Sequence, residues 1–277
     1  ADILKVMRTP ETIFRNAYYY LLVTFIGVPC TFFYNLLSSI IRALGDSKTP
    51  FWFLLFSTVL NVLLDLFCIL VLDWGVTGAA IATVISQGVS AGLCYFYMMR
   101  KFEILKTTVA ERKFQTSLAR TFLYIGVPMG MQFSITAIGS IMLQSANNAL
   151  GTACVAAFTA AMRIKMFCMC PLESLGIAMA TYSGQNYGAG KGKRMRKSVG
   201  ICLGMAYAGA FLVSGVLYAL AAPLYRLFTT DAKVVQIGGD MMHFLLPSYF
   251  LYVAIGILSG ALRGAGRVLV PMLLTCG

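Results

Sequence analysis

Apolar runs long enough to cross a bilayer recur from one end of this chain to the other. The segment FWFLLFSTVLNVLLDLFCILVL, residues 51–72, carries just two strongly polar side chains, Asn61 and Asp65. At about 1.5 Å per residue a helix of that length runs roughly 33 Å, enough to span the hydrocarbon core. The hydrophobicity does not alternate residue by residue, which disfavours a β-barrel. A bilayer offers backbone groups no water, so the remaining solution is a bundle of helices. Composition agrees: 59% of the residues are hydrophobic and 12% charged, with mean hydropathy +0.79, whereas a soluble domain carries about twice that charge.

Seven spans are expected, at about 14–41, 51–72, 76–99, 119–147, 153–184, 198–222 and 236–262, with an eighth beginning near 268. The net charge of +12 could suggest nucleic acid in a soluble chain. Here the loops account for it, and no nucleic-acid partner is expected. Alternate connections hold 15 of the 22 Lys and Arg residues, which makes that side cytoplasmic. The helix at 51–72 then runs from inside to outside. The chain opens on ADILKVM and stops at PMLLTCG, a few residues into a new apolar run, so a piece of a longer protein is expected. No cleavable signal pattern follows the first segment. The eight cysteines lie mostly in the spans and form no CxxC pair, which suits reduced, buried side chains.

The stretches IRALGDSKTP (41–50) and LRGAGRVLVP (262–271) share R-x-x-G-x-x-x-x-P at an offset of 221 residues. LKVMRTPE (4–11) meets YRLFTTDA (225–232) at the same offset, and Ser38 meets Ser259. The span at 14–41 corresponds to the one at 236–262, six spans later. An even period keeps both copies the same way up, as in the parallel repeats of secondary transporters. The expected fold is an all-α polytopic membrane bundle built from two parallel pseudo-repeats of six helices. Residues 1–99 would be the end of the N-terminal lobe, 100–118 a basic cytoplasmic linker, and 119–277 the beginning of the C-terminal lobe.

A carboxylate near the middle of a span costs about 2.5–3.5 kcal/mol on insertion scales and is a functional candidate by default. Asn61 and Asp65 are four apart and share a helix face. The following turn, LDWGVTG (72–78), is short, and Asp65 and Thr83 each lie nine residues from Trp74. Equal depth on adjacent helices would let a carboxylate, an amide carbonyl and a hydroxyl converge, a hard oxygen set suited to Na⁺ or to a titrating proton. The bland alternative is that the pair hydrogen-bonds across helices as packing glue.

These stretches, with GVTGAAIATVISQ (75–87), GVPMGMQ (126–132) and SGQNYGAGKGKR (183–194), resemble the multidrug and toxic compound extrusion (MATE) family in order and spacing. The resemblance implies helices four to ten of a twelve-helix, cation-coupled exporter with two lobes around a central cavity. It maps a family cation site of the N-terminal lobe onto Asn61, Asp65 and Thr83, with a further Asp expected on a helix preceding this chain. It also implies cavity positions at Asn35, Gln132 and Tyr252. One branch of the family has a Glu on helix seven and an Asp on helix ten; here those places hold Thr136 and Tyr252, so the C-terminal lobe is expected to lack its own carboxylate pair and coupling to run through the N-terminal lobe. The implied protein exports organic cationic or amphipathic compounds in exchange for Na⁺ or H⁺, needs no cofactor and no metal beyond Na⁺ at Asp65, sits in the cytoplasmic membrane, and works as a monomer when full length. A lipid-linked oligosaccharide flippase of related architecture is the second reading. An enzyme is not expected, since no GxSxG, HExxH or paired intramembrane carboxylates occur.

The remaining features have plainer readings. GAGKGK (188–193) fails the phosphate-loop spacing and reads as a helix end with topogenic charges. Gly126/Gly130, Gly200/Gly204 and Gly256/Gly260/Gly264 are small-xxx-small faces for helix packing. Pro29, Pro128, Pro171 and Pro247 interrupt spans and allow kinks. Arg163 and Lys165 either snorkel to the outer surface or face a cavity. Tyr18, Tyr19 and Tyr20 suit an interfacial belt, and the single His243 gives little support to a histidine-based metal or proton path.

Overall fold

The computed structural model describes residues 11–105 and 114–276. Among these residues all regular structure is helical. The long helices are α1 (Glu11–Ala43), α2 (Lys48–Leu66), α3 (Gly75–Lys101), α4 (Thr116–Asn148), α5 (Thr152–Gly188), α6 (Gly192–Arg226) and α7 (Ala232–Gly264); a short α8 (Leu269–Cys276) follows. Seven are long and apolar enough to cross a membrane, α2 doing so together with the turn that continues it. The chain is a multi-pass membrane protein, and its spans fall where the apolar runs place them. The matched segment at 4–11 lies mostly outside the described residues, as does much of the expected linker, at 106–113.

The chain divides into two compact units, Ala1–Phe114 and Gln115–Gly277. In the first, α1 and α3 run side by side. Tyr34, Leu37 and Ile41 of α1 pack with Ala91, Cys94 and Met98 of α3. Gly27 lets α1 approach α3, since a Cβ there would run into the Val84 side chain. Two buried serines tie α2 to α3: Ser57 Oγ donates to the Ser86 carbonyl at 2.6 Å and Ser90 Oγ to the Phe53 carbonyl at 3.5 Å. Hydrocarbon provides no competing water, so such hydroxyls turn to main-chain oxygen.

In the second unit the core lies between α5, α6 and α7, around Met169, Leu217, Tyr225, Met242 and Ile257. The closest approach is between α5 and α7. A Cβ on Gly260 would strike the Gly176 carbonyl, and one on Gly264 the Ala180 carbonyl. These two glycines belong to the 256/260/264 face. Gly126, Gly130, Gly200 and Gly204 have nothing within 4 Å of an added Cβ, so those faces leave the same space unused within their unit. Pro29, Pro128, Pro171 and Pro247 each lie inside a continuous helix, as does Pro223.

The shared motif has a structural cause. At the end of α1, Gly45 takes φ +95°, Gly45 N donates to the Arg42 carbonyl and Asp46 N to the Ile41 carbonyl. At the end of α7, Gly266 takes φ +76°, with matching bonds from Gly266 N to Arg263 and from Arg267 N to Leu262. Both are glycine-terminated helix ends whose left-handed residue satisfies the last carbonyls. The proline that completes each motif, Pro50 or Pro271, falls in the first turn of the next helix, where no amide donor is needed. The same closure ends α5: Gly190 has φ +69° and Lys191 N donates to the Asn186 carbonyl at 2.8 Å. GAGKGK is thus a helix end.

Candidate functional site

Two polar centres stand inside the spans, one in each unit. In the first unit, Asn61 and Asp65 lie one turn apart on α2, facing α3. Asn61 Nδ2 donates to Thr83 Oγ1 at 3.4 Å, and Thr83 Oγ1 donates back to the Ala79 carbonyl at 2.9 Å. Donating its amide protons to Thr83 leaves the Asn61 carbonyl oxygen free to accept or coordinate. Asp65 is half-buried, and its Oδ1 is fully buried without a hydrogen-bond partner. Gln87, one turn after Thr83 on α3, likewise has a buried Oε1 without a partner. An orphaned buried carboxylate oxygen is costly and calls for an explanation in terms of an ion or water.

Asn61, not Asp65, is the residue that reaches Thr83. Equal counts from Trp74 suggested the opposite, and the local backbone gives part of the reason. Residues Phe67–Val71 form a π-helical turn directly after α2. A π turn takes up an extra residue, so the arm before Trp74 climbs less per residue than the α-helical arm after it. Asp73, at φ +52°, and Gly75, at φ +53°, then reverse the chain. Gly78 is fixed by the same feature, because a Cβ there would press on Cys68 within the π turn. Such turns concentrate at functional sites.

The second unit contains a cavity of about 700 Å³ between α4, α5, α7 and α8. Gln132 and Tyr252 both line it, together with Glu173 and Arg263. Tyr252 Oη donates to Glu173 Oε1 at 2.7 Å. Lys165 Nζ lies 4.8 Å from the centre of the Tyr252 ring. Elsewhere in the cavity Arg263 Nη2 donates to Gln132 Oε1 at 2.8 Å, and Gln132 Nε2 donates to Thr275 Oγ1 at 2.5 Å. Arg263, read from sequence as a topogenic loop charge, is therefore turned inward. Of the two readings for Lys165, the structure takes the cavity-facing one. Asn35 belongs to the first unit, where its amide donates to the Thr31 carbonyl of its own helix at 2.9 Å.

Glu173 escaped the sequence reading, which looked for a C-terminal carboxylate at Thr136 and Tyr252. The signal was present: Glu173 is the only acidic residue of the 153–184 span, and the argument applied to Asp65 applies to it unchanged. The second unit has no carboxylate pair at the two aligned places, yet its spans hold Glu173 and, nine residues into α7, Asp240. His243 packs on Tyr218, with ring centres 4.5 Å apart, and its Nε2 lies 3.3 Å from the Tyr218 carbonyl.

A third cluster lies at the end of α1, on the repeat motif. Asp46 Oδ2 accepts from Tyr97 Oη at 2.5 Å, Thr49 Oγ1 at 2.9 Å and Lys101 Nζ at 3.0 Å. Lys101 also contacts the Tyr97 hydroxyl and lies over its ring. The Tyr97 hydroxyl first, then the Lys101 ammonium, hold the Asp46 carboxyl well below the ordinary carboxylate range. This cluster latches the α1–α2 turn to the end of α3.

With these arrangements in view, comparison with known proteins places the chain. Its fold is that of solved MATE transporters. It superposes on an outward-facing multidrug resistance MATE family transporter of the MOP superfamily with TM-score 0.90 at 22% identity, covering 99% of this chain and 62% of that one. A Vibrio cholerae MATE transporter, VcmN, gives TM-score 0.91 at 23% identity with the same coverage. The MatE family model matches residues 1–67 and 128–276, and the chain belongs to that family. It is 30% identical over 275 residues to a probable multidrug resistance protein, YpnP, of Bacillus subtilis, covering 98% of this chain. The Staphylococcus aureus multidrug export protein MepA is 22% identical over 260 residues. This chain spans 61% of the length of YpnP and 57% of that of MepA.

Proposed function

We propose that the protein containing this chain is a secondary active exporter of organic cationic or amphipathic compounds, driven by Na⁺ or H⁺ moving the other way through Asp65. The observation that carries the reading is the buried, unpartnered Oδ1 of Asp65 beside Asn61 and Thr83. A carboxylate oxygen that finds no donor among the described residues is prepared for a cation from outside. Asp65 supplies the charge, Asn61 a carbonyl oxygen, and Thr83 fixes the Asn61 amide so that this carbonyl stays available. Coupling requires the ion and the exported compound to favour different arrangements of the protein. The names of the relatives, multidrug resistance and multidrug export proteins, support the substrate class.

The test is efflux of a fluorescent organic cation from cells that lack their own pumps and express the full-length protein. Wild type is compared with Asp65→Asn at equal membrane expression. Wild type should export and the variant should not, and replacing Na⁺ or collapsing the proton gradient then identifies the ion. Equal export by both would reduce Asn61 and Asp65 to packing residues.

A further inference from the structure

In the second unit a carboxylate and an ammonium group share one aromatic side chain. Glu173 accepts from the Tyr252 hydroxyl at 2.7 Å, and Lys165 Nζ stands 4.8 Å from the centre of the same ring. Among the described residues the only ion pair within 4 Å is Lys101–Asp46. Lys165 and Glu173 therefore do not touch; they share Tyr252. A carboxylate can accept about four hydrogen bonds, and the one Tyr252 donor leaves most of that capacity unused.

A carboxylate beside an aromatic face in a largely apolar cavity is the recognition chemistry for an ammonium group. Here the chain supplies that group itself. Lys165 is a primary ammonium on a flexible four-carbon stem. It also has somewhere to go: a separate cavity of about 330 Å³ is lined by Lys165, Arg163, Met162, Met166 and Glu173. Glu173 forms part of both cavities and stands at their boundary. Lys165 and Arg163 line the smaller cavity with it.

We infer that Glu173 and Tyr252 form a binding site for alkylammonium compounds, and that Lys165 is a tethered occupant which an incoming ammonium must displace. The larger cavity receives the apolar body of the ligand against Met129, Phe133 and Ile177, while the smaller one receives the displaced lysine. The inference rests on the reading of the protein as an exporter of organic cations, but it concerns a different carboxylate from the coupling site.

The probe is dansylcadaverine, whose pentylammonium arm reproduces a lysine side chain and whose fluorescence reports transfer from water. Binding is measured on the purified full-length protein in detergent. Removing the tethered competitor with Lys165→Met should tighten binding by about fivefold, within the range of one cation–ring contact. Lys165→Arg, which keeps a tethered cation, should bind like wild type. Glu173→Gln should weaken binding by about tenfold or more, alone and combined with Lys165→Met. Lys165→Gln serves the same purpose if the methionine variant does not elute as a single species. Unchanged or weaker binding in both Lys165 neutral variants overturns the inference, as does full affinity in Glu173→Gln. Efflux that depends on Asp65 with a probe indifferent to Glu173 would sink this inference and leave the exporter reading standing.

Discussion

Asp65 and Glu173, two carboxylates within the described spans, solve the same problem in opposite ways. Asp65 keeps a buried oxygen with no partner among the described residues, one turn from the Asn61 amide that bonds Thr83. Glu173 is hydrogen-bonded by Tyr252 and has Lys165 across the same ring. The first arrangement is incomplete without something from outside. The second is complete until something from outside competes. A small hard ion suits the former; a ligand with an ammonium head and an apolar body suits the latter, and the larger cavity beside Glu173 has the volume for it.

The largest expected effect breaks that contrast at its first member. Asp65→Asn should lower coupled efflux by more than about tenfold, the consequence of losing as little as 1.4 kcal/mol of differential ion binding; transport assays at equal expression decide. Next comes helix approach, which also differs between the units. Gly260→Ala should destabilise the second unit by about 3 kcal/mol, because the new methyl meets the Gly176 backbone. Gly27→Ala should cost less, about 1–2 kcal/mol, because its methyl meets the Val84 side chain rather than main chain. Thermal unfolding in detergent should rank them in that order, and equal losses would remove the distinction.

Smaller again is the Asp46 latch. Its carboxyl is held below the usual range, so its stabilisation is fully present above the unfolded value near 4 and fades as pH falls toward the folded value. The melting difference between wild type and Asp46→Asn should be constant from about pH 5 to 7 and shrink below about 4. Lys101 is half exposed, so salt should reduce the difference too. The smallest effect should come from Ser57→Ala. It removes one buried hydroxyl–carbonyl bond and should cost about 1 kcal/mol.

Much of the fold was legible because bilayer physics is coarse. A run such as 51–72 has few alternatives, and α2 with its π turn occupies nearly that range. The R-x-x-G-x-x-x-x-P motif was legible as a repeat, and its glycine and proline turned out to be the two residues a helix end and a helix start require. The trio Asn61, Asp65 and Thr83 was legible as a neighbourhood but not as a set of bonds, since no pattern in FCILV announces a π turn. Glu173 was missed for a different reason: alignment to a family's columns asks whether the expected residue is in the expected place, and this carboxylate stands on another helix. The bond from Arg263 to Gln132 was not legible, because a basic residue at a helix end looks the same whether it faces water or reaches back.

The contact between α5 and α7 has a consequence for the cavity they border. Gly176, Ala180, Gly256, Gly260 and Gly264 line it as well as forming the seam. Along the seam the chamber wall is therefore nearly bare main chain, with no rotamers to rearrange. The facing side, with Met129 and Phe133 of α4, is made of side chains that turn about several bonds. The chamber is a mould with one hard strip set against softer walls. Compounds of different outline would all register against the same rigid face, and the methionine and phenylalanine opposite would take up the differences in shape.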